Sequence, residues 1–336
     1  MPTTATKTPE QPALRIGTRG SKLALAQSGQ TARLLEEAGI ATELVVIKTS
    51  GDRLADVSLA KVGGKGLFIK ELEEALAERR VDLAIHSMKD VPAELPAGFA
   101  IAAVTRRADV RDVLVRRVTP PGEGATEAAA GALAALPAVA SLPHGASVGT
   151  GSLRRRAQLA ALRSDLRVVP LRGNVDTRLR KLDAGEVDAI VLAAAGLARL
   201  GLDVAAEALA ADAFLPAPGQ GALAIETRAD DARVRDVVRV LHDPASAATC
   251  EAERAFLREL GASCQVPVAA FARIADDGVL AIEGLVASLD GATVLRDAVR
   301  GRAERAADAG RALADALAAR GAREIVAAAG EAAGRL

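Results

Sequence analysis

The feature that most constrains the fold is an internal repeat of strand, turn and helix. Residues 16–21 (IGTRGS) match residues 148–152 (VGTGS), and residues 81–85 (VDLAI) match residues 187–191 (VDAIV). A glutamine lies in the helix after each turn: Gln27 in the first copy and Gln158 in the second. The repeat favours two similar α/β lobes with a cleft between them. Chance similarity is the alternative, because separate βα units share the same hydrophobic pattern.

The length of the chain supports the same division. With 336 residues it is too long for one ordinary core, so two or three domains are expected. We predict an α/β fold with two lobes of mixed sheets around a cleft, plus a small C-terminal α+β domain. The expected boundaries are residues 1–12 for a disordered tail, 13–106 with 217–241 for the first lobe, 107–216 for the second lobe and 242–336 for the C-terminal domain. An Ala/Gly-rich insertion is expected near residues 117–146.

The composition argues against several classes of partner. Lys+Arg and Asp+Glu are 43 each, so no bulk attraction to nucleic acid or to a membrane surface is expected. Aromatic residues make up 1% of the chain, too few for base-stacking platforms. No apolar run approaches the roughly 18 residues of a membrane span, and residues 1–12 lack the apolar core of a signal peptide. Cys250 and Cys264 form no CxxC arrangement, which fits a reducing cytoplasm.

Arginine residues cluster where predicted helices begin. The start of a helix already carries free N–H groups and a positive dipole end, so an arginine there is unfavourable unless an anion lies between them. Any one such arginine is more simply interpreted as solvated surface charge, but seven at matching junctions indicate a ligand with several carboxylates or phosphates. They are Arg19, Arg154, Arg155, Arg156, Arg172, Arg178 and Arg180. The sequence contains no nucleotide P-loop motif.

The tetrad at residues 87–90 (SMKD) closes a predicted buried strand that starts at Val81. Ligands of open α/β sheets lie beyond the carboxyl ends of strands. An aspartate held there among cations stays ionised, and it can stabilise a cationic intermediate or move protons between nitrogens. The alternative is that Asp90 only caps the turn before Val91, and the residues alone leave both interpretations open.

The cysteines and histidines give weaker signals. Cys264 lies in a loop of small residues before a predicted strand, where a thiol is accessible as a nucleophile or a covalent attachment point. A buried, inert thiol is nevertheless the commoner case for an isolated cysteine, and Cys250, within a helix, is expected to be one. The three histidines are scattered without the spacing of metal ligands, so no metal is expected.

Together, and in this order, these features resemble the porphobilinogen deaminase (hydroxymethylbilane synthase) family. Any one motif is moderately specific, whereas their joint order over nearly the whole chain after residue 13 is highly specific. The matching stretches are residues 15–21, 59–68, 86–92, 149–155, 171–179 and 218–222 and the loop of Cys264. The resemblance implies two lobes like those of periplasmic solute-binding proteins and a third domain that carries the cysteine.

The resemblance also implies the chemistry. Porphobilinogen would be the substrate, and four units would be joined head to tail with loss of ammonia. Water would then release the linear tetrapyrrole hydroxymethylbilane. A dipyrromethane cofactor, made from substrate, would be attached to Cys264 through a thioether. The Asp that matches Asp90 is the family's catalytic carboxylate, and we expect a cytoplasmic monomer.

Several further positions match residues that bind cofactor or substrate in the family. Each pyrrole carries an acetate and a propionate, so a growing chain needs many basic groups. The matching positions are Arg19, Ser21, Lys89, Thr150, Ser152, Arg154, Arg155, Arg172, Arg178 and Gln220, with Arg15 and Arg199 as further ones. Residues 50–66 hold four glycines and fall where the family has a mobile loop. We expect a lid there that includes Lys61, Lys65 and, just after it, Phe68.

Three departures from the family pattern are visible. The Ala/Gly-rich stretch is not part of that pattern. Residues 106–112 lack the proline before the Arg-Asp pair, which affects the hinge between lobes, and Gly151 replaces a serine. The leading alternative function is a non-catalytic two-lobe binding protein for a small polycarboxylate. The repeat and the arginines fit it, whereas the missing signal peptide and the Cys264 loop argue against it.

Overall fold

The computed structural model describes residues 12–48, 69–117, 131–262 and 266–335. Its first sheet contains five strands: β1 (Leu14–Arg19), β2 (Thr42–Ile47), β3 (Leu83–Ser87), β4 (Phe99–Val104) and β10 (Leu223–Arg228). Their order is β2-β1-β3-β10-β4, with β1 parallel to β2 and β3 and with β10 antiparallel to both of its neighbours. The helices packed against this sheet are α1 (Lys22–Glu37), α2 (Lys70–Ala77) and α7 (Ala232–Val237).

The second sheet also contains five strands. They are β5 (Asp112–Arg116), β6 (Ser147–Gly149), β7 (Arg167–Val169), β8 (Ala189–Ala193) and β9 (Ala206–Ala208), in the order β7-β6-β8-β5-β9. The helices packed against it are α3 (Pro137–Ala140), α4 (Leu153–Leu162), α5 (Val175–Asp183) and α6 (Ala194–Leu200). Each sheet therefore has its own hydrophobic core, which makes two α/β lobes.

The two sheets have the same strand order and the same strand directions. In each, a central strand (β1 or β6) lies parallel to both neighbours, and an antiparallel strand (β10 or β5) follows on one side. That antiparallel strand is in both cases the first strand after the chain crosses from the other lobe. The crossings are residues 105–111 and 209–222. The repeat expected from the sequence, and the α/β fold class, are confirmed.

A glycine just before each turn lets strand and neighbouring element approach closely. A Cβ at Gly17 would lie 3.1 Å from Val81 Cγ2, and one at Gly149 would lie 2.8 Å from Leu171 Cδ2. Both distances are shorter than comfortable van der Waals contact, so a larger residue would push the units apart. The two turns thereby bring the first residues of α1 and α4 to the carboxyl edges of their sheets.

The Ala/Gly-rich stretch is described in part, since residues 118–130 lie outside the described ranges. A 3-10 turn at Gly131–Ala135 leads into α3. Leu136, Val139 and Leu142 are at most 1% exposed and pack in the core of the second lobe. Leu136 directly precedes α3, Val139 lies within it and Leu142 follows its C-cap. The described part of the predicted insertion therefore belongs to the core of the second lobe.

The C-terminal unit is a small α+β layer. Its antiparallel strands β11 (Val268–Ile274), β12 (Val279–Ala287) and β13 (Val294–Arg302) are packed with helices α8 (Pro244–Glu259), α9 (Ala306–Ala318) and α10 (Ala322–Arg335). Phe256 of α8 is fully buried, which stabilises the unit by roughly 1.5–3 kcal/mol. Gly310 of α9 lies against the Ala252 backbone, so that a Cβ would meet Ala252 O at 2.1 Å. No helix in the described part of the chain is long and apolar enough to cross a membrane.

A buried carboxylate joins the C-terminal unit to both crossings. Glu253 of α8 accepts two hydrogen bonds from Arg107 of the first crossing, at 2.8 and 2.9 Å. It also accepts from the backbone N–H of Gly219 in the second crossing, at 2.6 Å, and from that of Ala272 in β11, at 2.7 Å. Breaking such a buried pair typically costs about 3–5 kcal/mol. The segment between the lobes, including the region without the usual proline, is thus tied to α8.

Candidate active site

The turn after β3 carries Lys89 and Asp90. It is a single 3-10 turn, Met88–Asp90, closed by the Val91 N–H, which donates to Met88 O at 3.1 Å. Met88 is buried, Lys89 is half-buried and Asp90 is exposed. Gly219, at a φ of 73°, packs so closely that a Cβ there would lie 2.5 Å from Met88 Cγ. Met88 therefore anchors the turn, while the two charged side chains emerge at the carboxyl end of β3.

Two arginines at the start of α4 share one buried carboxylate. Arg154 Nη1 lies 2.8 Å from Asp112 Oδ2, and Arg155 Nη2 donates to Asp112 Oδ1 at 2.7 Å. They also donate to the backbone, Arg154 to Leu215 O and Arg155 to Val191 O. Burial alone would raise the pKa of Asp112, but the two guanidinium groups outweigh burial and hold that pKa well below its usual range.

Gln220 connects this buried cluster to the turn of the first lobe. Its Nε2 donates to Asp112 Oδ1 at 2.9 Å, and its Oε1 accepts from Lys89 Nζ at 3.4 Å. Burial lowers the pKa of Lys89 to about 8, with Asp90 opposing this shift and Arg155 adding to it. Asp90 therefore favours the protonated form of Lys89, whereas burial lets Lys89 lose its proton at a lower pH than an exposed lysine does.

Arg178 of α5 approaches the same turn from the second lobe. Burial lowers its pKa to about 10; the positive charges of Arg155 and Arg172 add to this effect, and the negative charge of Asp90 opposes it. Its Nε donates to Gly173 O at 2.8 Å. Arg178 and Asp90, which come from different lobes, are thus close enough to influence each other's charge. This coupling indicates a shared cleft.

The basic groups of this cluster outnumber its carboxylates. Lys89, Arg154, Arg155 and Arg178 surround Asp112 and Asp90, which leaves an excess of positive charge. The Nε atoms of Arg154 and Arg155 are also buried without a hydrogen-bond partner in the described part of the chain. Buried guanidinium donors are costly unless they are paired. The set therefore fits a ligand that carries several carboxylates, such as the dipyrromethane implied by the sequence.

The hydroxyl groups predicted to bind ligand are used by the backbone. Ser21 Oγ accepts from the Ala24 N–H at 3.3 Å and begins α1. Ser152 Oγ accepts from the N–H of the third residue after it at 3.4 Å, and Thr150 Oγ1 accepts from the Ser152 N–H at 3.1 Å. The contacts of Ser21 and Ser152 are N-cap contacts, which stabilise a helix start by about 1 kcal/mol, and that of Thr150 closes the turn before α4. The sequence predicted the N-cap role for Ser21, but not the backbone contacts of Thr150 and Ser152.

Four predicted arginines lie elsewhere around the lobes. Arg19 is the last residue of β1, and Arg172 lies in the loop between β7 and α5, so both are at the carboxyl edges of their sheets. Arg199 of α6 donates to Gly221 O in the second crossing at 2.6 Å. Arg15 is not brought to this edge. It lies near the opposite end of β1, about 13 Å from Arg19 along the strand, and donates to both carboxylate oxygens of Asp82.

The cysteine expected to hold the cofactor and the expected lid lie outside the described residues. These are Cys264, Lys61, Lys65 and Phe68. The other cysteine, Cys250, is 1% exposed within α8, and burial raises the pKa of its thiol to about 12. A thiol in that state is a poor nucleophile. Among the described side chains, no group of three or more His, Cys, Asp or Glu could hold a metal ion.

Two polar residues of this region were missed by the sequence reasoning. Asp112 binds both arginines, yet in the sequence it stands 43 positions before Arg155. A signal was present, because an aspartate that opens an apolar strand has to find a cation once it is buried. Gln27 was noted only as a repeated glutamine. In the structure its Nε2 donates to Ser87 Oγ at 2.8 Å, directly before the turn that carries Asp90.

Two family models match the chain. The model described as "Porphobilinogen deaminase, dipyromethane cofactor binding domain" matches residues 14–236. A second model, "Porphobilinogen deaminase, C-terminal domain", matches residues 247–319. The chain belongs to the porphobilinogen deaminase family. The expected deaminase activity, its substrate porphobilinogen and the dipyrromethane cofactor are thereby confirmed.

Curated porphobilinogen deaminases are similar over nearly their whole length. The protein of Syntrophobacter fumaroxidans is 49% identical over 317 residues, which cover 93% of this chain and 96% of the relative. The protein of Nitratidesulfovibrio vulgaris strain Miyazaki F is 49% identical over 321 residues, covering 94% and 96%. Similarity at this level extends through both lobes and the C-terminal unit, so it supports one shared activity for the whole porphobilinogen deaminase chain.

Solved structures outside the family are more distant. An ABC transporter periplasmic substrate-binding protein from Coxiella burnetii is 17% identical, with a TM-score of 0.39, and the match covers 70% of this chain and 94% of that protein. So low a score carries no functional argument. The alternative of a non-catalytic polycarboxylate-binding protein therefore gains no support, and the deaminase assignment stands on the family models and the curated relatives.

Proposed function

We propose that Asp90 is the catalytic carboxylate of the deaminase reaction and that it acts in the cleft between the two lobes. The observation that carries this proposal is a chain of contacts between the lobes: Lys89, next to Asp90, donates to Gln220 Oε1 at 3.4 Å, and Gln220 Nε2 donates at 2.9 Å to Asp112 Oδ1, the partner of the α4 arginines. The charges of Asp90 and Arg155 both act on Lys89, and the same two charges act on Arg178. A carboxylate surrounded by cations from two lobes is suited to a substrate that carries both acids and a basic nitrogen.

Asp90 stabilises the positive charge that develops on the substrate. Loss of ammonia from bound porphobilinogen leaves that charge at the pyrrole nitrogen, and a preorganised group opposite it contributes about 2.7–4 kcal/mol. The Asp90 side chain is exposed while the neighbouring Met88 is buried, so the carboxylate is available and its backbone is held. Lys89 is a binding neighbour rather than a nucleophile, because its Nζ donates to Gln220 Oε1.

The arginines hold the acetate and propionate groups. When bound, dipyrromethane supplies the pyrrole to which substrate units are added and so retains the growing chain. Its acids are assigned to Arg19, Arg154, Arg155, Arg172 and Arg178, each charge-assisted bond contributing about 1.5–3 kcal/mol. Ser21, Thr150 and Ser152 shape the helix starts, Gln220 links the lobes, and Arg199 supports the second crossing. Arg15 is assigned no ligand contact, since it lies near the opposite end of β1 from Arg19 and pairs there with Asp82.

Cys264 is the proposed attachment point. The chain has two cysteines, and Cys250 is sealed within α8 with a thiol that resists ionisation. Thioether formation requires an accessible sulfur nucleophile. The buried residues Ala262 and Val266 flank the cysteine loop and belong to the core of the C-terminal unit, which supports a firm base for the attached group.

We also propose that the enzyme is a cytoplasmic monomer without nucleic-acid or membrane partners. The balanced charge of 43 basic and 43 acidic residues supports this. We propose residues 13–106 with 217–241 as the first lobe and residues 107–216 as the second. The first sheet supports this division, because its strand β10 lies within residues 217–241. The lid with Lys61, Lys65 and Phe68 stays a prediction. Light scattering during size-exclusion chromatography measures the oligomeric state, and a dimer mass would contradict it.

The test is intact-mass spectrometry combined with turnover. The purified enzyme is expected to show a mass excess equal to dipyrromethane, which Cys264→Ser loses and the matched control Cys250→Ser keeps. Asp90→Ala is expected to retain the mass excess but to lose at least about 100-fold in kcat, the scale of one removed electrostatic group. An active enzyme without added mass would overturn the Cys264 assignment. Near-normal ammonia release by Asp90→Ala would remove Asp90 from the mechanism.

A further inference from the structure

A buried glutamine contacts the last residue before the turn of Asp90. Gln27 lies in the second turn of α1 and is 4% exposed. Its Nε2 donates to Ser87 Oγ at 2.8 Å, a short and well-formed hydrogen bond. Ser87 ends β3, and residues 88–90 follow it directly. Gln27 therefore acts on the chain only three residues from the proposed catalytic carboxylate.

The Ser87 hydroxyl does not cap the helical turn that follows it. A serine that precedes a helical turn commonly accepts hydrogen bonds from the N–H groups of that turn. Ser87 has the extended backbone of such a cap, with φ −63° and ψ 122°, but its side chain makes no capping bond. On the backbone side, Ser87 is paired with Leu223 of β10, and the Met88 N–H donates to Ala222 O at 3.0 Å. The turn is thus fixed from β10 through its backbone and from α1 through Gln27.

The equivalent glutamine of the second lobe has a different partner. Gln158 Nε2 donates to Leu215 O at 3.0 Å, and its Oε1 accepts from the Leu215 N–H at 2.8 Å. It therefore holds the backbone of the second crossing. The residue of β8 that corresponds to Ser87 is Ala193, which has no hydroxyl group. The contact between glutamine and strand end exists only in the copy that carries the aspartate.

We propose that Gln27 is a positioning residue of the deaminase, which fixes Ser87 and through it the orientation of Lys89 and Asp90. Electrostatic stabilisation depends on groups that are already in place when charge develops, and a displacement of about 1 Å can cost on the order of 100-fold in rate. Without Gln27, the Ser87 hydroxyl is free to cap the turn, which shifts the N–H groups of residues 88–90. This inference rests on the proposed role of Asp90.

The experiment compares Gln27→Met, Ser87→Ala and the double variant in the full-length enzyme, after intact mass has confirmed equal cofactor loading. Methionine keeps the length and burial of glutamine but cannot donate. Each single change is expected to lower kcat about 10-fold or more with little change in KM. The double variant is expected to lose no more than the single ones, because both changes break the same contact. Unchanged kcat, or losses that multiply in the double variant, would overturn the proposal.

Gln158→Met is the matched control for loss of a buried amide. It breaks two hydrogen bonds where Gln27→Met breaks one, so it is expected to lower Tm at least as much while lowering kcat less. If its kcat falls as far as that of Gln27→Met, the effect is a general loss of stability and the proposal is wrong. In an Asp90→Ala background, Gln27→Met is expected to have no further effect on residual turnover. A normal rate in Asp90→Ala would refute the role of Asp90, whereas a normal rate in Gln27→Met alone would refute only this inference.

Discussion

The two lobes share one topology but differ in the residues that come after the third strand of each repeat. In the first lobe β3 is followed by Lys89 and Asp90. Counting from the matching aspartates at the starts of β3 and β8, the second lobe has Ala195 and Gly196 at the same positions. There α6 begins at once, and its first three residues, Ala194, Ala195 and Gly196, carry no charged side chain. The carboxylate that we assign to catalysis thus belongs to one copy alone.

The difference is reversed at the helix that follows the first strand of each copy. Counting from the capping serine, Leu23 and Ala24 of α1 correspond to Arg154 and Arg155 of α4. The first lobe is therefore apolar where the second is cationic. Both copies have the capping serine and the same fold. The charged groups of the first copy follow its third strand, whereas those of the second copy begin its first helix. A duplicated fold can separate the group that stabilises a cation from the groups that bind acids.

The most severe way to break this division is to remove the carboxylate beneath the cations. Asp112→Ala leaves Arg154 and Arg155 buried without their shared partner, so the free energy of unfolding is expected to fall by about 3–5 kcal/mol. Urea denaturation measures this change. The control is Asp109→Ala, which breaks a half-exposed pair with Arg111 and is expected to cost less than about 1 kcal/mol. Equal, small losses in both variants would mean that the arginines do not depend on Asp112.

The cluster around Asp112 also marks the limit of prediction from sequence. The β-α units were predictable because capping serines, glycine turns and apolar periodicity are local signals. The position of Arg154 and Arg155 followed from the helix start, whereas their ion pair with Asp112 depends on a contact between distant segments. Arg15 shows a second limit: its sequence motif is intact, but it lies four residues before Arg19 on an extended strand and pairs with Asp82.

Strands β3 and β8 also differ on the face opposite to Ser87 and Ala193. His86 of β3 lies with its Nε2 2.8 Å from Glu226 Oε2, both buried, and Leu192 stands at the matching place in β8. Burial raises the pKa of Glu73 on α2 to about 7, with the charge of Glu226 adding to the shift and His86 opposing it. The first lobe therefore has buried polar side chains at a place where the second has a leucine.

This contrast is sharpened by Glu73→Gln. The folded-state pKa of Glu73 is above its ordinary value of 4.5, so its contribution to stability is full below that pH and is lost as the pH rises through about 7. Glutamine mimics the protonated acid. The variant is expected to match the parent at pH 4.5 and to be more stable at pH 8, by about 1 kcal/mol after allowance for partial exposure. Thermal unfolding at both pH values measures the effect.

The neighbouring Glu74→Gln serves as the control for that prediction. Glu74 is exposed and lies 3.8 Å from Lys70, so its substitution is expected to change stability by less than about 0.5 kcal/mol at either pH. A gain at pH 8 in both variants would assign the effect to the net charge of α2. It would then not come from the burial of Glu73.

The smallest expected effect lies where the lobes meet at their helix starts. Lys22 of α1 is 3.4 Å from Asp176 of α5, with side-chain exposures of 76% and 40%. Burial alone would raise the pKa of Asp176, but the hydrogen bond and the charge of Lys22 outweigh burial and hold that pKa below its ordinary value. Because both groups are well solvated, a double-mutant cycle of Lys22→Ala and Asp176→Ala is expected to give a coupling free energy below about 0.5 kcal/mol, smaller still in 0.5 M salt. Such a weak pair does little to hold the starts of α1 and α5 together. A coupling above about 1 kcal/mol would instead mean that this pair holds the cleft closed.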